Sequence, residues 1–158
     1  MIQIVKDSDT KPWFFLQTAH TTYGIRVMKT GHLEHLYYGE RITVVSQDPS
    51  SCAPLVIQRA FAPGNTCTYD REHPQISMED VCLEVGTLGK GDIREPFLEV
   101  RFADGSVTSD FTFDSYEVIT LKEREQCLQD SGLPHSYSEA ETDSAECLQI
   151  VLQDVTNH

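Results

Sequence analysis

Carboxylates dominate the chemically able side chains of this sequence, 25 of them against 12 lysines and arginines. Hydrolysis by an acid and a nucleophile needs two carboxyl groups held on opposite sides of one bond, and no motif pairs any two here. Asp92, Glu95 and Glu99 form the densest group, at the end of Gly89-Lys90-Gly91-Asp92-Ile93-Arg94-Glu95-Pro96. One reading is a small charged binding site. The other, favoured by the lack of a catalytic template, is a glycine-rich turn entering a strand, with Arg94 paired to a nearby carboxylate. Gly89-Lys90-Gly91 lacks the spacing and the following helix of a phosphate loop and reads as a turn. His32 and His35, three apart on a strand, point to opposite faces, and no further ligands complete a set, so no metal or other cofactor is expected. Cys52, Cys67 and Cys82 recur evenly, but zinc sites use clustered pairs, so they read as small core or loop residues. Trp13, Tyr37, Tyr38 and Tyr69 have faces able to stack on a ring-shaped ligand, although strand aromatics more often pack in the core.

The elements that would position these residues are strands. Short segments alternate apolar and polar residues at period two between Gly, Asp, Asn and Pro, which predicts an all-β, antiparallel β-sandwich with little helix. Strands are expected near Trp13–Thr18, Thr22–Met28 and His32–Tyr38, and further ones at Ile42–Val45, Leu55–Ile57, Tyr116–Thr120 and Cys147–Leu152. Asp104-Gly105 predicts a two-residue type I′ hairpin that sets Phe102 opposite Val107, Val100 opposite Ser109 and Leu98 opposite Phe111. The reverse face of that hairpin carries Glu99, Arg101, Thr108 and Asp110 and is expected to meet solvent or a partner. Helix signals are confined to Ser77–Asp80 and Lys122–Gln129. The Ser-, Glu- and Asp-rich stretch 138–146 reads as a solvated connector.

Length and composition bound the rest. With 158 residues and 39% hydrophobic content, the chain is long enough to bury a core without staples. No apolar run approaches the ~18 residues of a spanning helix, and Met1–Asp7 lacks a signal-peptide pattern. A cytoplasmic location follows by default. A net charge of −13 repels polyanions, so neither nucleic acid nor an anionic membrane is an expected partner. The five cysteines, odd in number and without a C-x-x-C pair, read as reduced and mostly packed.

A series of motifs resembles one family. Gly31-His32-Leu33-Glu34-His35-Leu36-Tyr37-Tyr38-Gly39 is similar to the "G-x-L-x-H-x-Y-x-G" hairpin of glycoside hydrolase family 36 α-galactosidases. Arg59-Ala60-Phe61-Ala62-Pro63 is similar to the family's "R-A-F-x-P" loop, and Leu83 to Pro96 to its "L-E-x-x-x-x-G-x-G-D-x-R-x-P". Asp104-Gly105-Ser106 through Asp110-Phe111, Gly132-Leu133-Pro134-His135-Ser136-Tyr137 and the stretch from Glu139 to Asp154 follow in the family's order. The departures are Gly86-Thr87-Leu88, where the family carries a Tyr before the glycine, a longer acidic stretch at 139–146, and Gln58 in place of an Asp before "R-A-F".

The resemblance implies a large N-terminal β-supersandwich, a (β/α)8 barrel bearing an aspartate nucleophile and an aspartate acid/base, and a small C-terminal β-domain. Residues 1–158 would be a partial first domain without the barrel, so none of Asp7, Asp70, Asp92 or Asp110 inherits a catalytic role. In bacterial members, loops of this domain reach a neighbouring subunit's active-site mouth. The loop from Gln58 to Arg71, with Gln58, Asn65, Tyr69, Asp70 and Arg71, is the expected substrate rim or interface, and a plain surface loop fits its turn residues equally well. Two readings follow. One is a non-catalytic segment of an enzyme hydrolysing melibiose- or raffinose-type galactosides, partnered by its own barrel and by further copies in a homo-oligomer. The other is a free-standing carbohydrate-binding or assembly module.

Overall fold

A computed structural model describes residues 1–6, 11–44, 49–57, 68–92, 95–120, 123 and 146–156. The chain is built around the aromatic run Trp13-Phe14-Phe15, whose consecutive side chains point to opposite faces of a strand. Phe14 and Phe15 are both fully buried, so this strand must be covered on both sides. It is β2 (Pro12–Gln17), the second strand of an antiparallel four-stranded sheet in the order β1-β2-β3-β4, with β1 at Ile2–Lys6, β3 at Thr21–Val27 and β4 at Leu33–Glu40. The short strand β1 was not anticipated.

Two hydrophobic layers cover the sheet. On one face Val5, Trp13 and Phe15 pack with Val44 and Cys52, joined by Leu36, Ile42, Leu55 and Val56. On the other, Phe14, Ile25, Val27 and Leu33 meet Phe113, Tyr116, Leu148, Ile150 and Leu152. These last residues belong to a long ribbon, β7 (Phe111–Thr120) paired antiparallel with β8 (Glu146–Asp154). Full burial of a ring such as Phe14 contributes about 1.5–3 kcal/mol. The sheet and the ribbon, face to face, are the predicted antiparallel sandwich in part. Two short pieces, β5 (Thr87–Leu88) and β6 (Gly91–Asp92), form a small separate pair.

Several local expectations are corrected. The chain turns at Asp104-Gly105, with Gly105 at φ 87°, but not as the expected two-residue type I′ loop, since Gly105 N–H donates to Phe102 O at 2.9 Å. Phe102 N–H also donates to Ser106 O at 2.9 Å, and no ladder joins the flanking arms. Phe111 instead begins β7, opposite Asp154, because the long ribbon offers it a continuous partner. Residues 42–44 are not a strand, and Leu55 ends a 3-10 helix, Pro49–Leu55, in which Pro54 lacks the N–H that a strand ladder requires. Ser77–Asp80 is one 3-10 turn without a side-chain cap. Apart from Glu123, the segment Lys122–Gln129 lies outside the described residues.

A bulge in β4 decides what each face carries. Gly24 opposes Tyr37 but Ile25 opposes His35, so Leu36 is the unpaired extra residue. That slip sends Leu36 to the Trp13 layer and returns His35 to the face of Tyr23. Gly24 leaves room for the Phe15 ring, since a Cβ there would lie 3.0 Å from Phe15 Cε1.

Candidate functional site

The most concentrated chemistry is a buried polar network centred on Asp110, which is 3% exposed. His32, equally buried, follows Gly31, whose φ of +92° and close approach to Thr112 would strain any side chain. His32 Nε2 lies 2.7 Å from Asp110 Oδ1, and an ionised carboxylate only accepts, so Nε2 is the donor. Its Nδ1 faces the Thr30 hydroxyl at 2.9 Å. The Tyr69 hydroxyl donates to Asp110 Oδ2 at 3.0 Å, and Lys90 Nζ stands 3.6 Å from the same oxygen. The Tyr69 ring packs edge-on against His32 and beneath the Lys90 ammonium. Asp110 N–H donates to Asp154 Oδ1, and Asp110 O accepts from Val155 N–H, tying the network to the ribbon.

Burial by itself would raise the Asp110 carboxyl. Hydrogen bonding and charge from His32, the Tyr69 hydroxyl and Lys90 outweigh it and hold the group below its ordinary 3.8. Burial, then the charge and hydrogen bond of Asp110, raise the Tyr69 phenol above its ordinary 10.0. All of these groups satisfy one another, so the network is a structural clamp joining the start of β4, the Lys90 turn, the segment at Tyr69 and the ribbon.

A second, more exposed cluster lies on β3 and β4. Glu84 accepts from the Tyr23 hydroxyl at 2.8 and 2.6 Å and sits 2.8 Å from His35 Nδ1. Burial, followed by the Glu84 contact, raises the Tyr23 phenol. The segment carrying Glu84 also extends the sheet edge, through His35 N–H to Cys82 O and Glu84 N–H to Leu33 O. Tyr38, 69% exposed, stands edge-on to Tyr23. Behind the sheet, Arg26 pairs with Glu34 and stacks over Trp13. That pair floors a cavity of about 160 Å³ rimmed by Gln75 and Asp80.

Of the five rim residues expected from the sequence, Gln58 and Asn65 lie outside the described residues. Tyr69 is committed to Asp110. Asp70 closes its own turn, accepting from Glu72 and His73 N–H at 2.8 and 2.7 Å. Arg71 is exposed. The network's other members escaped sequence reasoning: Asp110 was expected on a strand face that meets solvent or a partner and is buried within the chain. The residues between His32 and Asp110 hide that pair, since only the folded chain closes a separation of 78 positions. The two histidines each face a different carboxylate, and among the described residues no cluster suits a metal ion. Trp13 is core, as expected, and so is Cys52, whereas Cys82 is exposed.

The fold is one known elsewhere. The family described as "Glycosyl hydrolase family 36 N-terminal domain" matches residues 31–158, and the chain belongs to it. The chain is 34% identical over 145 residues to the bifunctional α-galactosidase/sucrose kinase AgaSK of Mediterraneibacter gnavus, covering 91% of this chain and 14% of that protein. It is 30% identical over 141 residues to α-galactosidase AgaA of Geobacillus stearothermophilus, covering 89% and 18%. Among solved structures, the galactosidase domain of AgaSK superposes with a TM-score of 0.70 at 31% identity, over 96% of this chain and 19% of that one. The α-galactosidase of Lactobacillus brevis does so at 0.69 and 30% identity, over 91% and 18%. The 158 residues thus span less than a fifth of the length of these relatives.

Proposed function

We propose that this chain is the non-catalytic N-terminal segment of an α-galactosidase, a β-sandwich that supports a catalytic barrel, makes oligomer contacts and lends a rim to a neighbouring subunit's galactoside pocket. The observation carrying this reading is the match to family 36 α-galactosidases along about nine-tenths of the chain. The buried clamp supports it mechanically. By engaging the Tyr69 hydroxyl, Asp110 fixes one foot of the loop that ends in Asp70 and the exposed Arg71, with Gln58 and Asn65 earlier in it. Among the described members, Arg71 is the one exposed to meet a sugar hydroxyl or a partner subunit. The carboxylates Asp110, Glu34 and Glu84 are each occupied by a cationic or phenolic partner, which suits support rather than proton transfer to a substrate.

The test is a chimera. The AgaSK galactosidase domain without its N-terminal segment is expected to lose activity, and this chain grafted in its place to restore it. In that chimera Arg71→Ala should raise KM for raffinose several-fold and leave kcat unchanged. A folded chimera without activity would count against the supporting role, and an unchanged KM against the rim.

A further inference from the structure

We infer that Thr30, His32 and Asp110 form a hydroxyl–imidazole–carboxylate array that activates the Thr30 hydroxyl as a nucleophile, making it a site of acylation by short-chain esters. The inference goes beyond the galactosidase reading and does not rest on it. Acyl transfer to a hydroxyl needs a base within hydrogen-bond reach of that hydroxyl and a third group that orients the base. Both distances are met. Thr30 Oγ1 lies 2.9 Å from His32 Nδ1, and His32 Nε2 lies 2.7 Å from Asp110 Oδ1. With Nε2–H donating to the carboxylate, a neutral imidazole keeps its lone pair on Nδ1, where it accepts from the Thr30 hydroxyl. All three members are described residues of this chain, so the array is complete within it.

The surroundings sort the three roles. His32 and Asp110 are buried, so water does not compete for the base, whereas Thr30 is only half-buried and can meet a small acyl group. Tyr69 and Lys90 both address Asp110 Oδ2, which leaves Oδ1 to steady the imidazolium that forms as the hydroxyl gives up its proton. The turn holding Thr30 is fixed by Met28 N–H donating to His32 O at 2.8 Å and Gly31 N–H donating to Met28 O at 2.9 Å. Among the described residues, the N–H groups of Lys29 and Thr30 meet no backbone acceptor, so the turn offers donors for the oxyanion of an attacked carbonyl. In the step itself, Thr30 Oγ1 bonds to the acyl carbon while its proton passes to His32 Nδ1. The carbonyl reforms as the bond to the leaving oxygen breaks, and Nδ1 returns the proton to that oxygen. A Thr30 ester and a free alcohol or phenol result, with no further reactant.

The experiment treats the purified chain with p-nitrophenyl acetate and maps the acetyl groups by peptide mass spectrometry. We expect a burst of p-nitrophenol and an acetyl on Thr30 that hydroxylamine removes, since hydroxylamine cleaves an ester and spares the amide of an acetylated lysine such as Lys29. Thr30 should be labelled at least ~100-fold faster in the folded chain than in urea, the scale of general-base assistance. Thr30→Ser should keep the burst, and Thr30→Val, of nearly the same shape, should abolish it. Thermal melts check that both variants fold, and the comparison with urea decides the matter without them. Acetylation confined to lysines, a burst that survives Thr30→Val, or equal labelling of Thr30 in the folded chain and in urea overturns the inference.

Discussion

Replacing Asp110 with Ala tests the buried clamp. Truncation leaves His32 Nε2, in a residue 3% exposed, and the Tyr69 hydroxyl without their acceptor. Lys90, at the network's rim, can turn to water. An unpaired buried polar group costs about 1–3 kcal/mol and removal of one partner of a buried pair about 3–5 kcal/mol, so we expect a loss of about 3–5 kcal/mol. A domain of this size has about 5–15 kcal/mol in all, and each kcal/mol moves Tm by about 2–4 °C, so melting should fall by roughly 6–20 °C. Denaturant unfolding near neutrality reads the free energy, with the exposed Glu117→Ala as a control expected within ~0.5 kcal/mol of the parent. The pH dependence has a definite sign. Because the folded Asp110 carboxyl lies below its ordinary 3.8, its contribution is complete above that value and disappears as pH falls through the depressed folded value. Asp110→Ala should therefore flatten the acid limb of the stability curve, and a cycle with His32→Ala should be strongly non-additive. A Tm within a few degrees of the parent, or an unchanged acid limb, would refute the clamp.

Other expectations follow from single features. Gly31→Ala, forced to hold φ +92° with its Cβ 3.0 Å from Thr112 Cβ, should lose at least about 1–2 kcal/mol in denaturant unfolding. Phe14→Ala removes a fully buried ring that touches Phe113 and Tyr116 and should cost about 3–5 kcal/mol, seen as a lower denaturation midpoint. In spectrophotometric titration the Tyr23 and Tyr69 phenols should resist ionisation well above 10.0. Asp110→Ala should return only Tyr69 toward the ordinary value, and Glu84→Ala only Tyr23.

Much of the architecture was legible where the signal is local. Strand β2 announces itself by its apolar run Trp13–Leu16, β3 and β4 by their aromatic and β-branched residues between turn signals, and β8 by its Leu148, Ile150 and Leu152 row. What failed was partner choice. Asp104-Gly105 is a true turn signal, yet the residues after it pair with β8 rather than with their neighbours, because a ten-residue strand gains more from a long ladder than from a short hairpin arm. Asp110 illustrates the cost of that error: placed by alternation on a polar face, it is the most enclosed carboxylate among the described residues. The β4 bulge was equally hidden. It moves His35 to the side of Tyr23 and Glu84, a placement that period-two counting cannot give. Family motifs carried the identity of the domain, while its internal clamp emerged only once distant segments met.

On the proposed reading, this chain supports catalysis without performing it. The decisive assay is hydrolysis of p-nitrophenyl α-galactoside by the purified chain. The expected result is no release above a protein-free blank, because among the described residues no two carboxylates stand ready to protonate a leaving group and trap the sugar. Turnover that persists through repurification and disappears on mutation of a carboxylate of this chain would contradict it.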